Sequence, residues 1–112
     1  MQVHTRTQNL VDDEKSLFME YLDKKLAKFE RLIGEFDPDM VKLDVSIEKF
    51  NKNDAFKVEM VMELPKARKH GTLHSSEDSR DIRKAIDLAQ DKMLVQMKRS
   101  LEKLHHLHQH AA

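Results

Sequence analysis

The spacing between apolar residues changes several times along the chain, and these changes constrain the fold more than any other feature. Apolar and polar residues alternate in residues 1–7, 40–49 and 56–64, whereas apolar residues recur every three or four positions in 11–36 and after residue 81. A period of two is typical of a strand with one buried face, and a period near 3.6 is typical of an amphipathic helix. The sequence therefore predicts strands and helices that each bury one side.

Turn-forming residues separate these segments. The chain contains only two Gly and two Pro: Gly34 and Pro38 follow the first helical segment, and Pro65 and Gly71 flank a basic loop. These residues commonly end helices and strands because of their backbone preferences. Residues 51–54, Asn-Lys-Asn-Asp, suit the turn of a hairpin between two alternating segments.

Two further elements complete the predicted order. A short, weak strand is expected near residues 72–76. A helix is expected from about residue 81 to about residue 105, because Ile82, Ile86 and Met93 keep the helical spacing. The order β-α-β-β-β-α predicts an α+β domain with a four-stranded sheet and two helices packed on one face, a shape similar to double-stranded RNA-binding domains.

Length and composition fit one domain. The chain has 112 residues, and a single core is usually built from about 100–150 residues. We expect the domain to span residues 1–104, followed by a short His-rich tail over 105–112. The absence of cysteine excludes a disulfide scaffold and thiolate zinc sites. No apolar run is long enough to cross a bilayer, so a cytoplasmic protein with no membrane partner is the simplest interpretation.

The charges balance in total but not along the first helix. Lys and Arg number 20 and Asp and Glu number 20, and this neutrality by itself argues against a nucleic-acid partner, whose phosphates attract basic residues. On a helical wheel, however, Lys24, Lys28 and Arg31 lie together opposite the apolar stripe, with Lys25 beside that stripe. The charge must therefore be judged surface by surface.

The last helix carries two basic lines. One line contains Lys92, Arg99 and Lys103, and the other contains Lys84 and Lys98. If both helices cover the same sheet face, these lines and the basic stripe of the first helix can form one surface. The alternative is that they are ordinary solvated helix faces with local ion pairs. Spacing alone leaves both interpretations open.

Aromatic residues are too few for a surface on which bases stack. Tyr21 is the only tyrosine, tryptophan is absent, and the five Phe are mostly at core positions. We therefore do not expect sequence-specific recognition of unpaired bases. Contacts with the phosphates and riboses of folded RNA remain compatible with the sequence.

Three stretches resemble a known family. They are Tyr21-Leu-Asp-Lys-Lys-Leu-Ala-Lys-Phe-Glu-Arg31, Leu43-Asp-Val-Ser-Ile-Glu-Lys49, and Asp81-Ile-Arg-Lys-Ala-Ile-Asp87 followed by Asp91-Lys-Met93, Gln96 and Met97. Their order and spacing are similar to those of the ribosome hibernation factors. This family includes the ribosome-associated inhibitor, the short hibernation promoting factor and the sigma-54 modulation proteins. The chain resembles a short form, without the C-terminal domain of the long members.

The resemblance implies a function. Family members bind the small ribosomal subunit in the channel used by messenger and transfer RNA, and they keep ribosomes inactive in starved cells. The implied partner is therefore ribosomal RNA, with no cofactor and no small-molecule substrate. The matching RNA-facing positions are Lys25, Lys28, Arg31, Lys92, Arg99 and Lys103, and Lys84 and Lys98 are further basic candidates.

One feature departs from the family pattern. Leu94 and Val95 replace polar or charged residues of the second helix, which makes this helix apolar on a second side. This suggests a partner surface and a weak self-association. The alternative function is accordingly a protein-interaction module of the same fold that does not bind ribosomes.

Catalysis is not expected. The chain lacks a Gly-rich phosphate loop and the common hydrolase and zinc-protease motifs. The tail His105-His106-Leu107-His108-Gln109-His110 is the strongest metal-binding pattern, but a terminal His-rich segment more often binds metals adventitiously. We therefore predict neither an enzyme nor a physiological metal site.

Overall fold

A computed structural model of the chain describes residues 1–35, 38–65 and 71–111, without the side chains of residues 35, 38 and 103–111. The elements are β1 Gln2–Gln8, α1 Asp12–Leu32, β2 Lys42–Phe50, β3 Ala55–Leu64, β4 Gly71–Ser79 and α2 Ile82–Ala111. Two single-turn 3₁₀ helices, Ile33–Glu35 and Pro38–Met40, lie between α1 and β2. The predicted order β-α-β-β-β-α is confirmed.

The four strands form one mixed sheet in the order β1-β2-β3-β4. β1 is parallel to β2, and the other two neighbouring pairs are antiparallel. The register places Thr5 opposite Val45, Val45 opposite Met60, and Met60 opposite Ser75. Residues opposite each other point to the same face, and in this row Val45, Met60 and Ser75 are buried whereas Thr5 on the edge strand β1 is exposed.

Both helices pack on this buried side. Phe18, Leu22 and Phe29 of α1 and Ile86 and Met93 of α2 are buried with the apolar residues of β2 and β3 in one core. The methionines Met60, Met62, Met93 and Met97 are also buried there. Their flexible side chains fill space between the sheet and the helices. The α+β architecture predicted from the sequence is therefore confirmed.

Two elements are longer than the sequence predicts. β4 extends over Gly71–Ser79 rather than 72–76, because backbone pairing with β3 continues through residues that have no apolar alternation. α2 continues to Ala111 rather than ending near His105. No Gly or Pro follows Gly71 to stop it. The predicted first helix ends early, at Leu32, and Phe36 lies outside the described residues.

Neither helix has, within the described ranges, a stretch long and apolar enough to span a bilayer. Both helices are amphipathic, with charged residues on the side away from the sheet. These outward sides carry the residues considered below.

Candidate nucleic-acid interface

The C-terminal half of α1 exposes a pair of cations. Lys28 and Arg31 are both exposed, because Phe29, which lies between them in sequence, is fully buried and fixes the orientation of the helix. Neither cation forms an ion pair with another residue of the described part of the chain. Lys24, one turn earlier, is also exposed. This side of α1 is therefore available to an anionic partner.

Lys25 differs from these residues because it faces α2. Its amine lies 3.2 Å from Oδ1 of Asp87 and 5.0 Å from the centre of the Tyr21 ring. The Tyr21 hydroxyl donates to the same Asp87 carboxylate at 2.8 Å. The Tyr21 side chain and then the Asp87 carboxylate raise the pKa of Lys25 above its ordinary value of 10.5. Lys25 is therefore charged, but its charge is already paired.

The basic residues of α2 also include both unpaired and paired side chains. Lys84, Lys98 and Arg99 are exposed and have no ion-pair partner among the described residues. Lys92 instead pairs with Glu77 of β4. The side chain of Lys103 lies outside the described residues. Of the seven predicted site residues whose side chains are described, five are unpaired and two are neutralised within the protein.

The two helices run parallel, and the middle of α1 contacts the first third of α2. Tyr21 and Lys25 contact Asp87, and Nε2 of Gln90 donates to the backbone carbonyl of Lys25 at 2.6 Å. The partners are 62 to 66 positions apart in each case, so the contacts advance along both helices in the same direction. The C-terminal halves of α1 and α2 therefore lie at the same end of the molecule.

This arrangement leaves four unpaired cations in the C-terminal halves of the two parallel helices. We call Lys28, Arg31, Lys98 and Arg99 the basic cluster; all four are exposed, and Arg99 lies about 100° around α2 from Lys98, on the side of Lys92. Lys84 lies fourteen residues before Lys98, about 21 Å away along the helix axis, so it is separate from the cluster. Arg31, in the last turn of α1, is also favoured by the helix dipole. Three acidic residues, Asp12, Asp13 and Glu14, lie at the opposite end of α1.

The second apolar side expected on α2 is smaller in the structure than the sequence suggests. Leu94 is half-buried and packs against the core, whereas Val95 is 48% exposed. Their adjacent positions in sequence place them about 100° apart around the helix, and only Val95 points away from the protein. Leu94 is therefore less exposed than the sequence suggested, and the partner surface of Leu94 and Val95 stays a prediction.

The described side chains form no group that could hold a metal ion. In residues 1–34, 39–65 and 71–102, no group of three His, Asp or Glu side chains is placed to do so. The side chains of the His-rich tail lie outside this description. Within it, the unpaired cations of the helices are the clearest chemical feature, and their natural partners are anionic oxygens such as phosphates.

The internal pairings of Lys25 and Lys92 could not be read from the helical wheel. Asp87 is far from Lys25 in sequence, and Glu77 belongs to a strand. The wheel did give one signal, since it placed Lys25 beside the apolar stripe rather than opposite it. Such a position is typical of residues at a helix–helix contact.

Comparison with known proteins identifies the family. A family model described as Sigma 54 modulation protein / S30EA ribosomal protein matches residues 14–105, which include most of both helices and the whole hairpin. The chain belongs to this family. The resemblance drawn from its sequence motifs is thereby confirmed.

Solved structures of similar shape agree with this S30EA assignment. The crystal structure of the Thermus thermophilus Protein Y N-terminal domain has 25% sequence identity and a TM-score of 0.65, and the alignment covers 88% of this chain and 98% of that chain. A ribosomal subunit interface protein from Coxiella burnetii has 18% identity and a TM-score of 0.57, with 91% and 99% covered. At that identity, the second similarity supports the fold alone. No curated protein sequence matches significantly.

Proposed function

We propose that this chain binds the small ribosomal subunit and keeps ribosomes inactive under starvation or in stationary phase. The observation that carries the proposal is the S30EA family match over residues 14–105, since it includes the elements that bear the basic cluster. The name of the Coxiella burnetii structure, a ribosomal subunit interface protein, is consistent with it. The proposal places the chain in the cytoplasm, where ribosomes are found.

The proposed contacts are ionic and follow from the exposed cations. Lys28, Arg31, Lys98 and Arg99 would each approach a phosphate of ribosomal RNA, and Lys84 and Lys103 would add contacts at the two ends of this surface. Folded RNA displays regularly spaced phosphates along its grooves, which suit cations held on two rigid helices. Because the whole chain is formally neutral, binding to arbitrary RNA should be weak. Useful affinity then requires a site with complementary shape.

The proposed inhibition requires occupancy rather than chemistry. The domain would lie in the channel used by messenger and transfer RNA and exclude both of them. No bond needs to be made or broken, which agrees with a family of ribosome-associated factors rather than enzymes. We therefore propose a non-catalytic inhibitor.

Co-sedimentation with purified small subunits tests the binding. We expect binding at low salt that is lost in the variant Lys28→Glu/Arg99→Glu. The matched control Lys15→Glu/Lys52→Glu makes the same charge change at exposed positions outside the cluster and should bind nearly as well as the unaltered chain. Equal loss in both variants, or no binding of the unaltered chain at low salt, would contradict the proposal.

The salt dependence of binding distinguishes contacts made by the unpaired cations from contacts made by all eight residues predicted from the sequence. Each phosphate contact contributes about 0.7–0.9 to the slope of log affinity against log salt. The four residues of the basic cluster alone predict a slope of about 3 and an affinity loss of about 60-fold between 50 and 200 mM salt, and contacts from Lys84 and Lys103 would raise the slope to about 5. All eight predicted residues acting together would give a loss of several thousand-fold on the same scale.

Channel occupancy is tested by competition. Small subunits saturated with the chain should no longer bind a short messenger RNA together with its transfer RNA, and the excess of either RNA should displace the chain. Simultaneous binding of all three would show that the chain binds elsewhere on the subunit.

A further inference from the structure

Asp87 is the common partner of two side chains from the other helix. Its two carboxylate oxygens each lie 2.8 Å from the Tyr21 hydroxyl, and Oδ1 also lies 3.2 Å from the Lys25 amine. Lys25 in turn lies over the Tyr21 ring. The three side chains form one connected group, which we call the interhelix clamp: Tyr21, Lys25 and Asp87.

A buried amide strengthens the same contact. Gln90 is 1% exposed, and its Nε2 donates to the carbonyl of Lys25 at 2.6 Å. The clamp and this bond therefore fix both the side chain and the backbone of α1 at Lys25 relative to α2. Lys28 follows Lys25 by less than one helical turn, and Lys98 follows Asp87 by three turns on the parallel helix. The clamp therefore fixes the relative placement of the two halves of the basic cluster.

The clamp also affects the charge that α1 presents to RNA. A phosphate that approached Lys25 would have to compete with a carboxylate already in contact with it and with the ring beneath it. Lys28 and Arg31 meet no such competition, since no described carboxylate pairs with them. The two groups of cations therefore have different roles, although they lie within two turns of one helix.

We propose that Asp87 is a positioning residue that holds Tyr21 and Lys25 and withholds Lys25 from phosphate. This inference rests on the proposed function, and it opposes the role that family resemblance assigns to Lys25. In place of a phosphate contact, Lys25 is part of the support that sets the spacing between Lys28 on α1 and the cations of α2.

The slope of log affinity against log salt for small-subunit binding tests the charge role. The variant Lys25→Gln/Asp87→Asn removes the pair without changing the net charge, and we expect its slope to equal that of the unaltered chain. Lys28→Gln should lower the slope by about 0.7–0.9, the value of one phosphate contact. If the double variant lowers the slope by the same amount, Lys25 contacts phosphate and the inference is wrong.

The single variant Asp87→Asn gives a second prediction. It releases Lys25 while Tyr21 keeps an acceptor, so the slope should rise by up to about 0.9. Asp91→Asn is the matched control, because it removes the same charge from an exposed position one turn further along α2 and should leave the slope unchanged. An equal rise in both variants would show that only the overall charge matters and would overturn the role of Asp87.

A measurement without ribosomes separates this inference from the proposed function. In thermal unfolding, Tyr21→Phe, Asp87→Ala and their combination should show non-additive losses, with the combination losing less than the sum of the single variants. Additive losses would refute the clamp even if the chain binds ribosomes. Failure of the unaltered chain to bind small subunits would refute the proposed function, and the unfolding result would then decide on the clamp alone.

Discussion

Replacing Glu14 with Gln should weaken the anchoring of α1 in a pH-dependent way. Glu14 lies in the first turn of α1, where Val11 precedes the helix and has no side-chain acceptor for the free N–H groups. Oε1 of Glu14 instead accepts the backbone N–H of Val11 at 2.9 Å. Oε2 lies 3.1 Å from the amine of Lys49 at the end of β2. One carboxylate thus connects the start of α1 to the sheet.

The expected magnitude follows from these two contacts. Gln can still accept the Val11 hydrogen bond, but it loses the charge that strengthens it, a difference of about 1 kcal/mol. The ion pair with Lys49 is partly exposed, with 19% exposure of the Glu14 side chain, and contributes up to about 1 kcal/mol more. We therefore expect a loss of about 1–2 kcal/mol at neutral pH, or about 4–8 °C in melting temperature for a domain of this size.

The pH dependence has a definite sign. The hydrogen bond from Val11, followed by the contacts with Lys49, lowers the pKa of Glu14 below its ordinary value of 4.5, although burial opposes the shift. A lowered pKa in the folded state means that the stabilisation is present above the pKa of the unfolded chain and is lost as the pH falls through the folded value. The difference between the two proteins should therefore shrink as the pH falls below about 4.5.

Thermal unfolding of both proteins across this pH range is the assay. The control is Asp12→Asn, which removes an exposed charge from the same helical turn and should cost only about 0.3–1 kcal/mol through the helix dipole. If the Glu14→Gln difference is absent at neutral pH, or equally large after acidification, the reasoning from the two charged contacts is refuted.

Two further predictions concern α2. The Gln96 side-chain amide donates to the backbone C=O of His74 at 2.6 Å and accepts from its N–H at 3.2 Å, on the edge strand β4. Gln96→Ala should therefore lower the free energy of unfolding by about 1 kcal/mol. An unchanged urea midpoint would contradict this role. Leu94→Ala should cost about 1–2 kcal/mol because Leu94 packs against the core, less than a fully buried leucine. Val95→Ala should change stability by less than about 0.5 kcal/mol, and equal losses in urea unfolding would show that the two side chains are equally buried.

Most of the fold was predictable because its periodicities are strong. The alternation of Val41, Leu43, Val45 and Ile47 indicated one buried strand face, and all four residues are buried. The spacing of Phe18, Leu22 and Phe29 identified the buried side of α1 in the same way. β4 was harder, because Ser75 and Glu77 occupy positions where an interior strand would have apolar residues. The length of β4 is determined by its backbone pairing with β3 and by its packing against α2.

The candidate site was predictable only in part. The wheel correctly placed Lys28 and Arg31 on the exposed side of α1, because that side is determined by the local helical period. It could not reveal that Asp87 and Glu77 neutralise Lys25 and Lys92, since those contacts join separate elements. The same limit applied to Leu94, whose partial burial depends on how α2 lies against the core.

The sequence by itself determined the order of the elements, their buried sides and the family, because these depend on local spacing and on motifs of a few residues. The tertiary structure decided which of the cations are free to meet a partner. Opposite charges that are distant in sequence become neighbours only when the helices and the sheet pack together. The balance of 20 basic and 20 acidic residues therefore fixes the net charge of the chain, whereas packing determines where an unpaired positive charge remains.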